Sequence, residues 1–176
     1  MSPLKRDPDP APWRRLGETL SGHFAARARG LLASDFALLN REGDEVGRLE
    51  IHGPQGAELS ATGLEAQIER IIPTRHRMLS SGAQVLTSTG VATTPEIRCL
   101  GVPYQTTLSL LRNSAEAGPT KEQATVRIKG GLTNRNYEIY FETGEASPLP
   151  VALFLLYRIV TLRRDAYRTG HGQKSS

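Results

Sequence analysis

Arg127 and Lys129 stand two apart in the stretch "VRIKGG". On a strand, both would point to one face, ~6.6–7 Å apart along the chain, close enough to approach one phosphate or two neighbouring ones. The same alternation places Val126 and Ile128 on the opposite face. The plainer alternative is that each cation pairs with an acid on the next strand, such as Glu138. Few other residues have a spacing that suits chemistry. His23, His52, His76 and His171 lie in four unrelated contexts, none beside a Gly-x-Ser-x-Gly elbow, and no pair has metal-ligand spacing. Cys99 is the single cysteine, so no disulfide or thiolate metal site is expected, and its strand-like setting between Arg98 and Leu100 suits a buried small hydrophobe.

Other charged motifs read as surface. "RHR", from Arg75 to Arg77, suits solvated charge, and "KGG" lacks the strand–GxxxxGK[ST]–helix context of a phosphate loop. "REGDE", from Arg41 to Glu45, holds three carboxylates but has the look of a hairpin turn and lacks the spacing of a calcium loop. A carboxylate pair of the glycosidase kind would be assembled across strands and so leave no spacing signal; nothing marks one. No catalytic residue, metal or cofactor is expected.

Charge is unevenly placed. The net charge of the 176-residue chain is +4, yet residues 1–30 carry six Lys/Arg against three Asp/Glu, and residues 156–176 five against one. The middle, 31–155, is acidic, with eleven against fourteen. Basic chain ends serve either as solubilising tails or as attractors for an anionic surface, lipid or nucleic acid. No recognition helix or stacking-aromatic signature favours nucleic acid. "MSPLKRDPDPAPWRR" has no apolar segment after its basic residues, so no secretory signal is read and a cytoplasmic protein is the default.

Hydrophobic period sets the elements that must position these residues. Residues 1–12 hold four prolines and no periodicity, and are expected to be a disordered arm. Residues 13–32 place Leu16, Leu20, Phe24, Ala28, Leu31 and Leu32 at spacings of three and four, which predicts one broken helix or two short ones. From residue 33 the period becomes two. Hairpins are expected around Asn40–Asp44 and Ser81–Gly82, and between "ATVRIKGG" and "NYEIYF". Leu64–Ile72 suits helix or strand, and its strand-like neighbours favour strand.

The last element is "PLPVALFLLYRIVTLRRDAY". From Leu149 to Leu162 it is fourteen residues long with Arg158 among them, too short to cross a bilayer, which needs ~20. Its apolar residues cover nearly the whole helical wheel, so the helix must be surrounded. One surrounded helix and many strands predict a mainly β fold: a closed antiparallel barrel of about twelve strands threaded by a C-terminal helix, 151–167, with a disordered tail at 169–176.

That order of parts over residues 33–168, with "NYEIYF" late in the sheet and the apolar helix last, resembles the Tubby C-terminal-like superfamily. Its members include tubby proteins, LURP-one-related proteins and phospholipid scramblases. The resemblance implies a twelve-stranded barrel and non-enzymatic work at membranes, with anionic phospholipid headgroups bound by surface Lys and Arg. Arg127 and Lys129 are similar in kind to such a headgroup clamp. The alternative function is a nucleic-acid-binding or protein-interaction module that uses the basic chain ends.

Overall fold

The computed structural model describes residues 6–172, with side chains through Arg168. Residues 1–5 of the expected arm and 173–176 of the expected tail lie outside the described residues. After residues 6–10, which have no regular structure, helix α1 spans Ala11–Leu20. It begins two residues earlier than the sequence suggests because Pro12 sits in its first turn, where no backbone N–H is needed. Twelve strands follow: β1 (His23–Arg29), β2 (Asp35–Leu39), β3 (Glu45–Ile51), β4 (Gly56–Ala61), β5 (Leu64–Ile72) and β6 (Arg75–Ser80). Then come β7 (Ala83–Thr89), β8 (Glu96–Cys99), β9 (Val102–Ser109), β10 (Ser114–Gly118), β11 (Val126–Gly130) and β12 (Asn136–Phe141). The chain ends in helix α2, Pro148–Gly172.

Every strand pairs antiparallel with its chain neighbours, and β12 closes onto β1, with Phe24 opposite Ile139 and Ala26 opposite Tyr137. The expected closed twelve-strand barrel is therefore the fold. Closure removes every free sheet edge. Two expectations need correction. The helical segment 13–32 is helix only to Leu20; Ser21 and Gly22 take φ of 54° and 79°, which ends it, and His23–Arg29 is the first barrel strand. A spacing of four, as from Leu20 to Phe24 to Ala28, fits one helical turn and also two strand alternations, so the period alone misassigned β1. The helix α2 also departs from the expected 151–167 at both ends: it begins at Pro148, since proline is tolerated in a first turn, and it runs past 167, so residues 169–172 are its last turn rather than disordered tail.

The interior of the barrel is filled by α2. Leu149 and every residue from Val151 to Leu156 are buried, none more than 2% exposed. The strand positions facing it include small residues, Ala26, Ala57, Ala66, Ala115 and Ala117, all buried. A chain with 6% aromatics could not fill a twelve-strand barrel with side chains alone; a helix supplies the volume, and the alanines make room for it. No helix among the described residues is long and apolar enough to cross a membrane.

The two ends of the barrel differ. Hairpin connections alternate between them, and α2 enters at the end where β12 finishes. There α1 packs as a cover, with Trp13 and Leu20 buried in the same core as α2. At the other end, α2 emerges among the connections 30–34, 52–55, 73–74, 90–95, 110–113 and 131–135. We call these the covered end and the exit end.

Candidate functional site

The expected pair lies where alternation puts it. Arg127 and Lys129 face outward on β11, while Val126 and Ile128 are buried against α2. Their surroundings moderate the charge. Arg127 Nε lies 3.8 Å from Glu116 Oε1 on β10, an exposed and therefore weak pair. Lys129 stands opposite Ser114 on one side and Glu138 on the other.

Glu138 is already engaged from β1. Its carboxylate accepts from Arg27 Nη2 at 2.5 Å and lies 2.7 Å from His23 Nε2. Burial pushes the Glu138 carboxyl up, but hydrogen bonds from Arg27 and His23 prevail and hold it below its ordinary range. This cluster bridges β12 and β1, the seam where the barrel closes. Among the described residues no serine, threonine or cysteine hydroxyl or thiol joins it in a hydrogen bond, and its geometry is that of a cross-strand tie.

His52 stands apart from this cluster. His52 Nε2 lies 3.6 Å from Glu58 Oε2. Together with Glu50 these groups bring three ligand-type atoms within 4.8 Å of one another. Spacing in the sequence did not show this grouping because it forms across β3 and β4; His52 and Glu58 are exposed, and exposed acidic groups commonly gather in this way without an ion. His171 lies in the last turn of α2, beyond the described side chains. Cys99 is fully buried, and burial pushes its thiol up, away from the thiolate form.

A groove of about 570 Å³ opens at the covered end, between the arm and the β8–β9 turn, lined by Asp7, Arg14, Arg98, Val102, Glu145 and Ser147. Its charges are mixed. The Ser147 hydroxyl is bonded to the Tyr104 hydroxyl at 2.5 Å, and burial raises the Tyr104 pKa to about 12, so neither group activates the other as a nucleophile.

A further convergence, invisible in the sequence, lies near the exit end. Arg70 on β5 and His76 on β6 are direct cross-strand partners. His76 is 2% exposed and its Nε2 has no hydrogen-bond partner. Its ring stands edge-on to Phe154 and Tyr157 of α2, with centroids 5.7 and 6.0 Å away. Burial, then the charges of Arg158 and Arg70, lower its pKa to about 4. Only register and the threading of the helix bring these three basic groups together.

No protein-family model and no curated protein matches this sequence. The fold is similar to the X-ray structure of a protein from Arabidopsis thaliana, with a TM-score of 0.55 at 11% identity. The match covers 93% of this chain and 99% of the plant chain. At that identity the likeness shows a shared fold and nothing finer.

Proposed function

We propose that the protein is a non-enzymatic, tubby-like barrel of the LURP-one-related kind that binds an anionic phospholipid surface, at the cytoplasmic face of a membrane. The observation that carries this reading is the segregation of charge along the barrel axis. At the exit end, the six connections and the helix segment 163–168 carry five arginines (Arg112, Arg135, Arg163, Arg164 and Arg168) against Asp165. At the covered end, the connections 21–22, 40–44, 62–63, 81–82, 100–101, 119–125 and 142–147 hold two cations against five acids. The arm and α1, residues 6–20, add three of each sign. A molecule polarised in this way is attracted and oriented by a negative surface.

The filled interior supports binding without catalysis, because α2 occupies the space where another barrel would hold a ligand. Arg127 and Lys129 are a second, side-on point of contact, weakened by Glu116. Co-sedimentation with phosphatidylcholine vesicles, with and without phosphatidylserine, tests the reading. The protein is expected to pellet only with the anionic vesicles and to be released by salt, since screening shortens the reach of exposed charge. Absence of pelleting with anionic vesicles, alongside a salt-sensitive shift of nucleic acid in a gel, would replace this reading with the nucleic-acid one.

A further inference from the structure

Ten large apolar side chains are exposed among the described residues, and eight of them lie at the exit end: Leu31, Leu32, Ile71, Ile72, Val91, Leu111, Leu132 and Tyr167. Five of the six exit connections have one at the tip or flank. Leu31 and Leu132 are 99% exposed and Leu111 is 96% exposed, so these tips take no part in folding. They are held in place nonetheless. Arg135 donates to the carbonyl of Gly30 at 2.7 Å, Arg164 donates to that of Ala33, and Arg163 Nη2 lies 3.4 Å from that of Leu132. Exposed aliphatic groups clustered at one end, on loops tied down by arginines, call for a covering surface.

The same end holds a cation that lacks an acceptor. Arg158 of α2 is only 8% exposed, and its guanidinium makes no hydrogen bond or ion pair within the described protein. Burial lowers its pKa, and Asp165, two turns on, is the one carboxylate whose charge reaches it. Among the described residues only His76 Nε2 and Asn113 Oδ1 are both buried and unpartnered, so the Arg158 nitrogens must open to solvent. Arg70, directly across from His76, adds a second positive charge. A recessed guanidinium open to solvent, with a second arginine beside it, suits a phosphate.

We infer that the exit end docks end-on onto an anionic membrane, with the loop-tip leucines entering the interface and Arg158 and Arg70 receiving the phosphate of a lipid headgroup. This rests on the phospholipid reading above and adds its orientation and contact residues. Apolar groups of an interfacial segment reach about 5–10 Å into the headgroup and acyl boundary, the region a projecting loop tip samples. Separate tips around a ring suit a fluid phase, and the arginines between them supply the complementary charge; each basic group near an anionic surface strengthens binding about fivefold.

The test compares vesicle binding of the parent with that of four variants. Leu31→Ser/Leu111→Ser/Leu132→Ser should keep the parent melting temperature. It should bind phosphatidylserine vesicles roughly a hundredfold more weakly, from about fivefold per partly inserted leucine. Arg158→Met should melt no lower than the parent, because the guanidinium makes no bond within the described protein, yet bind the same vesicles about fivefold more weakly. Leu132→Cys labelled with an environment-sensitive dye, Cys99 being buried, should shift to the blue on anionic vesicles only. If the parent binds but the leucine variant binds equally and the dye does not shift, the docking orientation is wrong while the phospholipid reading stands. If the binding loss appears instead in Arg127→Ala/Lys129→Ala, contact is side-on through β11. A parent that dimerises through the leucine tips, or binds no anionic vesicle, overturns the inference; the second result overturns the phospholipid reading as well.

Discussion

His76 shows how one buried group sets a response to acid. Its ring is enclosed by Phe154 and Tyr157, and burial together with Arg158 and Arg70 lowers its pKa to about 4, against 6.5 for an ordinary histidine. Between those values the unfolded chain binds a proton that the folded chain refuses, so stability rises with pH across the window. On acidification the stability held by neutral His76 is lost progressively from pH 6.5 down to about 4, on the order of 3 kcal/mol in all. Glu138 acts in the same direction at lower pH: its depressed carboxyl stabilises the fold above the ordinary carboxylate range, and that stability is lost as pH falls from there through its own lower pKa. Melting curves of the parent and of His76→Phe, recorded from pH 7 to pH 4, separate the two. The variant should lose most of the slope above the carboxylate range, since phenylalanine keeps the ring contacts and has no proton to gain. Equal slopes would assign the acid sensitivity elsewhere.

At the scale of elements, α2 governs the rest. Leu155 is fully buried within the barrel, so Leu155→Asp places an unpaired charge where no water can reach it. That costs several kcal/mol, comparable with the ~5–15 kcal/mol by which a domain of this kind is stable. The variant should be unfolded or insoluble by circular dichroism and sedimentation, whereas Leu155→Ala should fold with a loss of about 2–5 kcal/mol. Unchanged melting of the aspartate variant would mean that the helix is peripheral. This element was legible because its apolar residues cover the whole wheel, which no surface helix does. The start of the barrel was less so. Leu31 and Leu32 continue the apolar spacing of α1 and so look like helix, yet they are loop tips; apolar residues in a loop carry no period to distinguish them. The outward face of Arg127 and Lys129 followed from alternation alone. Their neighbour Glu116, and the meeting of Arg70, His76 and Arg158, depend on strand register and on how deeply the helix threads, which no local spacing encodes.

At the scale of the whole molecule, closure joins the first strand to the last, so no sheet edge can fray without exposing the helix inside. The covered end belongs to the same unit: Trp13 on α1 is 1% exposed and lies in one continuous core with Phe24, Leu149 and Leu153. The chain has a single tryptophan, so its fluorescence reports the cover while far-ultraviolet dichroism reports barrel and helix together. A cover packed on shared side chains cannot lift without opening a cavity over α2, which leaves a buried apolar surface facing water. Unfolding in denaturant should therefore be all-or-none, with the fluorescence and dichroism transitions coincident in midpoint and slope. The exit-end leucines, exposed in the folded protein, should not alter this curve when replaced by serine, so one molecule would separate the surfaces that hold it together from the surface proposed to meet a membrane. A fluorescence transition at clearly lower denaturant than the dichroism transition would show α1 to be an independently detaching lid and would dissolve the distinction between a covered and an open end.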